Sequence, residues 1–339
     1  MVSNAPVFIV GAPRSGTTLL RRLLNSHPDL HLTFEASYFN VVKAMPRGLD
    51  AAAFRDAWIH SLPFAWQRVS AAAVEEAAPA ELPPRDPRWL TALMAHCAKC
   101  HGKSRWGDKS PLHVYEVGAL LEAFPDARIV HIVRDPVAVV RSLHSVPWAG
   151  INLFATAVTV RVALDAVKPF RDHICEVRLE DLLADQAGEL RRILDFCALP
   201  WSDQVLDPDT HAPGDAPPLP WLATRSPDRA QLPARPTLLP EDAYRISRIT
   251  APQRRRYGYA PLPKAGRSPL GHLHRAWTDV RELLGVFLAL RRLRRVLHGR
   301  PRPDPVAVFD AVNSLHPDAV LACSPAERAR LVDWLHSAG

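Results

Sequence analysis

Near its start the chain has an unbroken apolar run, Val7 to Val10, then a turn of small residues, then leucines recurring along one helical face. Four consecutive Val, Phe or Ile residues are expected of a strand buried on both faces. Leu19, Leu20, Leu23 and Leu24 fall at helical spacing within Thr17 to Asn25, so a helix follows the turn. The same alternation returns downstream. Asp29 to Phe34 alternates weakly and delivers Glu35 to the end of a short strand or turn. Residues 46–104 read mainly as helices with a proline break from Pro79 to Pro87. Arg128 to Val133 (RIVHIV) is a second buried strand, followed by a helix from Val137 to His144. Phe154 to Phe170 is helical, Ile174 to Leu179 is a third clear strand, and Ala187 to Ala198 is another amphipathic helix. Strands alternating with helices imply an α/β fold: a P-loop-type, mostly parallel sheet with right-handed crossovers, flanked by helices.

Ten prolines between Pro200 and Pro240 exclude regular structure there and predict a long loop packed over the domain. Glu241 to Arg256 is helical again. Beyond it, apolar residues at 273, 276, 280, 283, 287 and 290 form a helical stripe closed by Arg291, Arg292, Arg294 and Arg295. Ser324-Pro325-Ala326-Glu327 is a capping box that predicts a terminal helix over Pro325 to Ser337. This divides the chain into a domain over 1–262 and a basic helical C-terminal extension over 263–339.

The turn after the first strand changes the picture most. Gly11-x-x-x-x-Gly16-x-Thr18 has P-loop spacing, and a Gly-bracketed turn leading into a helix N-terminus is an anion cradle. Thr17 stands where a P-loop has its lysine, and that lysine reaches β- and γ-phosphates. Its absence, with Arg14 inside the loop, points to a nucleotide without such phosphates. The alternative is a strand-to-helix turn with no ligand. Ser15, Gly16, Thr17 and Thr18 place small and hydroxyl-bearing residues where a phosphate would sit, which argues against it.

Composition narrows the class without naming a chemistry. At 339 residues, 47% apolar and 23% charged, the chain is that of a globular protein. No apolar run approaches the ~20 residues needed to cross a bilayer. A strand beginning at Val7 leaves no room for a leader, and five cysteines suggest reduced thiols, so a cytoplasmic location is expected. The formal net charge of +7 is local: Lys264 to Arg302 holds ten Lys or Arg against Asp279 and Glu282, and the remainder is close to neutral. Nucleic-acid binding by the main domain is therefore not expected. The basic segment 268–298 reads as a helix packed on the core with a solvated end, or as an interfacial helix on anionic lipid.

Four blocks in order resemble the PAPS-dependent sulfotransferases (PAPS is 3′-phosphoadenosine 5′-phosphosulfate). They are Pro13-Arg14-Ser15-Gly16-Thr17-Thr18; Asp108-Lys109-Ser110-Pro111; Val133-Arg134-Asp135-Pro136 with Ser142; and Val177-Arg178-Leu179-Glu180-Asp181-Leu182, followed by Leu199-Pro200-Trp201 and Tyr257-Gly258-Tyr259. The likeness covers residues 5–262 and is nearest to the tyrosylprotein-sulfotransferase and bacterial branch. It implies that Arg14, Ser15, Gly16, Thr17 and Thr18 hold the 5′-phosphosulfate and that Arg134 and Ser142 bind the 3′-phosphate. Lys109 and Arg14 are then expected to act on the sulfuryl oxygens, with Glu35 as the base. Leu179 departs from a tyrosine that the family often places near the nucleotide. The segment from Thr224 to Pro236 is only loosely similar, with Arg225, Ser226, Arg229 and Arg235 as its candidates.

Sulfuryl transfer to a hydroxyl needs an anion clamp, donors on the moving group and a base, and the less charged sulfuryl makes no metal obligatory. The expected activity is sulfuryl transfer from PAPS to a carbohydrate, lipid, phenol or tyrosine hydroxyl. Two alternatives stand beside it. A P-loop small-molecule kinase would use Asp135 as a magnesium ligand, and a nucleotide-binding protein would keep the loop without turnover. Cys97-Ala98-Lys99-Cys100-His101 spells a haem-attachment motif but reads better as a helix end with two thiols.

Overall fold

The computed structural model describes residues 5–78, 82–144, 153–208 and 238–264. Five strands form one sheet: β1 (Val7–Val10), β2 (Leu30–Phe34), β3 (Arg105–Lys109), β4 (Arg128–Val133) and β5 (Ile174–Arg178). Every pairing is parallel and the order is β2-β3-β1-β4-β5, so β1 is central. The predicted α/β sheet is present, and parallel strands bring all their carboxyl ends to one edge. The turns after β1, β2, β3 and β4 therefore share that edge, although their residues are far apart in sequence.

Helices cover both faces. On one lie α1 (Thr17–Asn25) and, further along the chain, the pair Leu179–Ala184 and Gln186–Phe196. Their Leu20, Leu24, Leu190 and Ile193 pack with Val7, Ile9, Val130 and Ile132 of the sheet. On the other face Phe8 meets Trp106 and Phe124 edge-on or tilted, at centroid distances of 6.2 and 5.6 Å. The edge strand β2 is not left open. Arg21 Nε of α1 donates to the Leu32 and Thr33 carbonyls, and Asn25 Oδ1 accepts from Leu32 N.

Between β2 and β3 the chain is helical, as the sequence predicts: α2 (Tyr38–Ala44), α3 (Ala51–Ile59), α4 (Leu62–Ala65), α5 (Ala71–Ala77) and α6 (Arg88–Cys100). Asp50 and Ser70 cap α3 and α5 by accepting from Ala53 N and Ala73 N. Tyr38, Phe64 and Trp89 surround Trp58, with ring centroids 5.1–5.9 Å from it. Among the described residues the remaining α-helices are α7 (Val117–Ala123), α8 (Pro136–Leu143), α9 (Leu153–Ala166), α10 (Leu179–Ala184), α11 (Gln186–Phe196), α12 (Pro240–Ile249) and α13 (Ala251–Arg256).

Several boundaries differ from the sequence reading. Strand β3 carries no apolar run and was not foreseen; Arg105, Asp108 and Lys109 are buried in it and each has partners, so hydropathy is silent there. The single helix expected over Glu241 to Arg256 is two, because Pro252 lacks the N–H that would continue the first. A short 3₁₀ turn, Asp203–Leu206, occupies the start of the proline-rich stretch, with Ser202 capping it. The loop over 209–237 with its candidates Arg225, Ser226, Arg229 and Arg235 lies outside the described residues. So do the basic helix over 268–298 and the terminal helix over 325–337.

The chain divides into two compact units. Of the described residues, the first takes in those up to 134 and those over 163–208, and so holds the whole sheet. The second takes in those over 135–162 and 238–264, with α12 packed on α8. Within it Asp135 N-caps α8 by accepting from Val137 N at 3.0 Å and forms an ion pair with Arg254, whose side chain is nearly buried.

Candidate active site

The first cradle is the turn from Gly11 to Gly16. A Cβ on Gly11 would run into the Ile132 carbonyl oxygen of β4, which explains the glycine. Gly16 is the N-cap of α1 with φ +102°, a left-handed conformation that glycine adopts without strain. It has no side chain to cap α1, and the first N–H groups of the helix face the turn unclaimed by any side-chain cap. Arg14 also sits in the left-handed region at φ +73°, and its carbonyl accepts from Arg134 Nη1 at 3.2 Å. The ends of β1 and β4 are thus tied together by the two arginines expected at the nucleotide. Ser15 is fully buried, and its hydroxyl has no hydrogen-bond partner among the described residues. Thr17 is buried at the start of α1.

The second group stands at the ends of β2 and β3. Registers Phe34↔Lys109 and Ile9↔Lys109 put Lys109 between β2 and β1. Its side chain is wholly buried and its ammonium donates to Glu35 Oε1 at 2.6 Å and to Thr18 Oγ1 at 3.5 Å. The same ammonium lies 3.7 Å from the centroid of the Phe34 ring. Burial pushes the Lys109 pKa down, while the Glu35 carboxylate beside it pulls back up. Glu35 keeps about a quarter of its side chain exposed, at 24%. One carboxylate oxygen is thus fixed by the ammonium while the side chain as a whole stays partly exposed.

The structure therefore brings together Arg14, Ser15, Gly16, Thr17, Thr18, Glu35, Lys109 and Arg134, all in the first unit. Ser142 is buried on α8 in the second unit. His113 is enclosed, with its ring 5.7 Å from Phe39 and desolvation holding its imidazole below the usual range. Its Nδ1 lies 3.4 Å from Asp108 Oδ2, beside the buried carboxylate rather than beside Lys109 and Glu35. Asp135, the magnesium ligand of the kinase alternative, is engaged by α8 and Arg254.

Sequence reasoning missed three contributors. Phe34 precedes Glu35, and its position opposite Lys109 emerges only from strand register. Arg254 lies 119 positions from its partner Asp135. Asp108 was read only as part of a block, although it is fully buried and accepts three hydrogen bonds. Cys97 is buried at the end of α6, with its thiol pushed up to about 12, and Cys100 is exposed with its sulfur 3.3 Å from His96 Nε2. Among the described residues no group of three or more His, Cys, Asp or Glu side chains is arranged to hold a metal ion.

This fold and edge belong to a known class. The Sulfotransferase family model matches residues 6–203, more than half the chain, and the chain belongs to that family. It is 27% identical over 212 residues to protein-tyrosine sulfotransferase A of Caenorhabditis elegans, covering 59% of this chain and 51% of that protein. It is 25% identical over 252 residues to the omega-hydroxy-beta-dihydromenaquinone-9 sulfotransferase Stf3 of Mycobacterium bovis, covering 59% of this chain and 64% of that one. The chain thus spans between about half and just under two thirds of these relatives. Among solved structures, the sulfotransferase domain from the curacin biosynthetic pathway is matched over 77% of this chain and all of that one, at 17% identity and a TM-score of 0.47.

Proposed function

We propose that the chain transfers a sulfuryl group from PAPS to a hydroxyl acceptor. The observation that carries this reading is the Lys109–Glu35 pair beside Thr18, at the carboxyl edge of the sheet in a chain of the sulfotransferase family. A cationic donor and a carboxylate acceptor 2.6 Å apart, next to an anion cradle, are the two halves that sulfuryl transfer needs.

The residues present fit the donor nucleotide. The α1 N-terminus and the Ser15, Thr17 and Thr18 hydroxyls suit a 5′-phosphate, and the buried Ser15 hydroxyl gains the partner it lacks. Arg134 suits the 3′-phosphate, and the resemblance to the family implies the same role for Ser142. PAPS supplies the sulfuryl group, its S–O bond to the 5′-phosphate breaking as the acceptor's oxygen bonds to sulfur. Glu35 takes the acceptor's hydroxyl proton. The Lys109 ammonium and the Arg14 guanidinium neutralise charge that builds on the sulfuryl and bridging oxygens. The acceptor class is a hydroxyl on tyrosine, lipid, phenol or carbohydrate; the relatives named above act on protein tyrosine and on a menaquinone derivative by their names. The free thiols Cys97, Cys100, Cys175 and Cys197 are consistent with the cytoplasmic reading.

Glu35→Gln tests the base. General-base catalysis is worth about 10²–10⁴-fold, so single-turnover transfer should fall by that order while affinity for adenosine 3′,5′-bisphosphate stays within about threefold. A variant with parental rate would overturn the assignment of Glu35.

A further inference from the structure

We propose that Asp108 is a positioning residue that holds Glu35 in its working geometry, with Ser110 as its relay; the proposal rests on Glu35 being the base. Two non-glycine residues within three positions, Glu35 at φ +51° and Ser37 at φ +47°, occupy the left-handed region. In each the Cβ crowds the following carbonyl oxygen, so the backbone is strained. A turn of this kind persists only where its surroundings over-determine it.

Three consecutive N–H groups of the turn are claimed by three consecutive residues of β3 and its end. Glu35 N donates to the Lys109 carbonyl at 2.8 Å. Ala36 N donates to Asp108 Oδ1 at 3.1 Å, and Ser37 N donates to Ser110 Oγ at 2.9 Å. The Ser110 hydroxyl in turn donates to Asp108 Oδ2 at 2.6 Å, and Thr33 Oγ1 donates to Asp108 Oδ1 at 2.9 Å. One buried carboxylate therefore organises Thr33 before the turn, Ala36 within it and, through Ser110, Ser37 at its end.

Strand alternation separates this work from the chemistry. Thr33 and Asp108 are register partners, as are Phe34 and Lys109, so successive β3 side chains lie on opposite faces. Lys109 reaches Thr18 of α1, whereas Thr33, the partner of Asp108, also contacts Met94 of α6. Asp108 touches the turn from the face of β3 opposite Lys109, and its two carboxylate oxygens are taken up by Thr33, Ala36 and Ser110 rather than directed at acceptor or nucleotide. It acts chiefly through the backbone that carries Glu35; its charge adds a lesser pull on the Lys109 ammonium, which Asp108→Asn removes while keeping the turn contacts. A base displaced by about an ångström loses on the order of 10²-fold in rate.

The test measures single-turnover transfer and bisphosphate affinity in Asp108→Ala, Asp108→Asn and Ser110→Ala, each alone and combined with Glu35→Gln, on the full chain. Asp108→Ala is expected to lower transfer about 30–100-fold with nucleotide affinity within threefold. Asp108→Asn keeps an acceptor for Thr33 and Ala36 and should recover most of that loss. Ser110→Ala should sit between them. In the Glu35→Gln background all three should cost less than about twofold, because a residue acting through Glu35 has nothing left to position. Losses that multiply with that of Glu35→Gln would overturn the proposal, as would a parental rate for Ser110→Ala. If Asp108→Ala does not fold, Asp108→Asn and Ser110→Ala still decide. A Glu35→Gln variant with parental rate defeats the base reading itself, which is a different failure.

Discussion

At the scale of single residues the site is organised around a buried ammonium. Lys109 is inside the protein because its strand is, and Glu35 offsets only part of the desolvation that pushes its pKa down. The sign of the linkage follows. Between the lowered folded value and the unfolded value of 10.5, the unfolded chain binds a proton that the folded chain has lost, so stability rises with pH across that window. Lys109→Met removes the contribution. Its Tm relative to the parent should be highest near neutral pH and decline as pH approaches 10.5, while transfer is lost. Tyr38, whose buried phenol is pushed up, acts with opposite sign at alkaline pH but equally in both proteins. A pH-independent difference in differential scanning fluorimetry would mean that the ammonium is hydrated in solution. Glu35→Gln acts in the other direction, depriving the buried ammonium of its ion-pair partner, and should lower Tm at neutral pH.

At the scale of elements, helix ends are held by side chains that also do other work. Asp135 caps α8 and pairs with Arg254 of α13, so one carboxylate fixes two elements of the second unit. Removing one partner of a buried pair costs about 3–5 kcal/mol, because the other charge is stranded. Asp135→Ala should lose toward the lower end of that range by urea denaturation, since the Arg254 side chain is only 5% exposed but keeps the Ala260 carbonyl, and Asp135 itself is 27% exposed. Asp135→Asn keeps the cap and should lose less, and Asp135→Asn combined with Arg254→Met should lose least. An Asp135→Ala cost below about 1 kcal/mol, the value of a cap alone, would show that the ion pair contributes nothing. The turns at the sheet edge follow the same economy of parts. Glycines stand where φ or a neighbouring carbonyl leaves no room, at Gly16 and Gly11, and among the described residues non-glycine left-handed backbone falls at Arg14, Glu35 and Ser37 around the site and at Arg68, Arg85 and Ala198 elsewhere.

At the scale of the whole molecule the proposal is a statement about which nucleotide the chain prefers. Adenosine 3′,5′-bisphosphate at a hundred times its Kd should add about 2.7 kcal/mol of stability, visible as a rise in Tm, and ATP with magnesium should add far less. Arg134→Ala should remove about 1.5–3 kcal/mol of bisphosphate binding by calorimetry and hardly change binding of adenosine 5′-phosphate. Chelator should leave the transfer rate unchanged. A rate that collapses in chelator and returns with magnesium would favour phosphoryl transfer instead. How much of this was written in the sequence depends on how local the physics is. The strands Val7–Val10 and Arg128–Val133, the glycine turn with Thr17 in place of lysine and the helices before β3 follow from short-range patterning, which every neighbour in sequence shares. Arg14, Glu35, Lys109 and Arg134 stand out in the sequence only as candidates, from their motifs and spacing. Their assembly was decided by parallel pairing, which carries four strand ends to one edge irrespective of their separation along the chain. Strand β3 escaped notice because its burial is satisfied by hydrogen bonds and ion pairs with residues up to 100 positions away, and such partners leave no periodicity. For the same reason only the tertiary structure gave Asp108 its place behind the Glu35 turn: a buried carboxylate is stable where distant donors converge on it, and sequence does not encode that convergence locally.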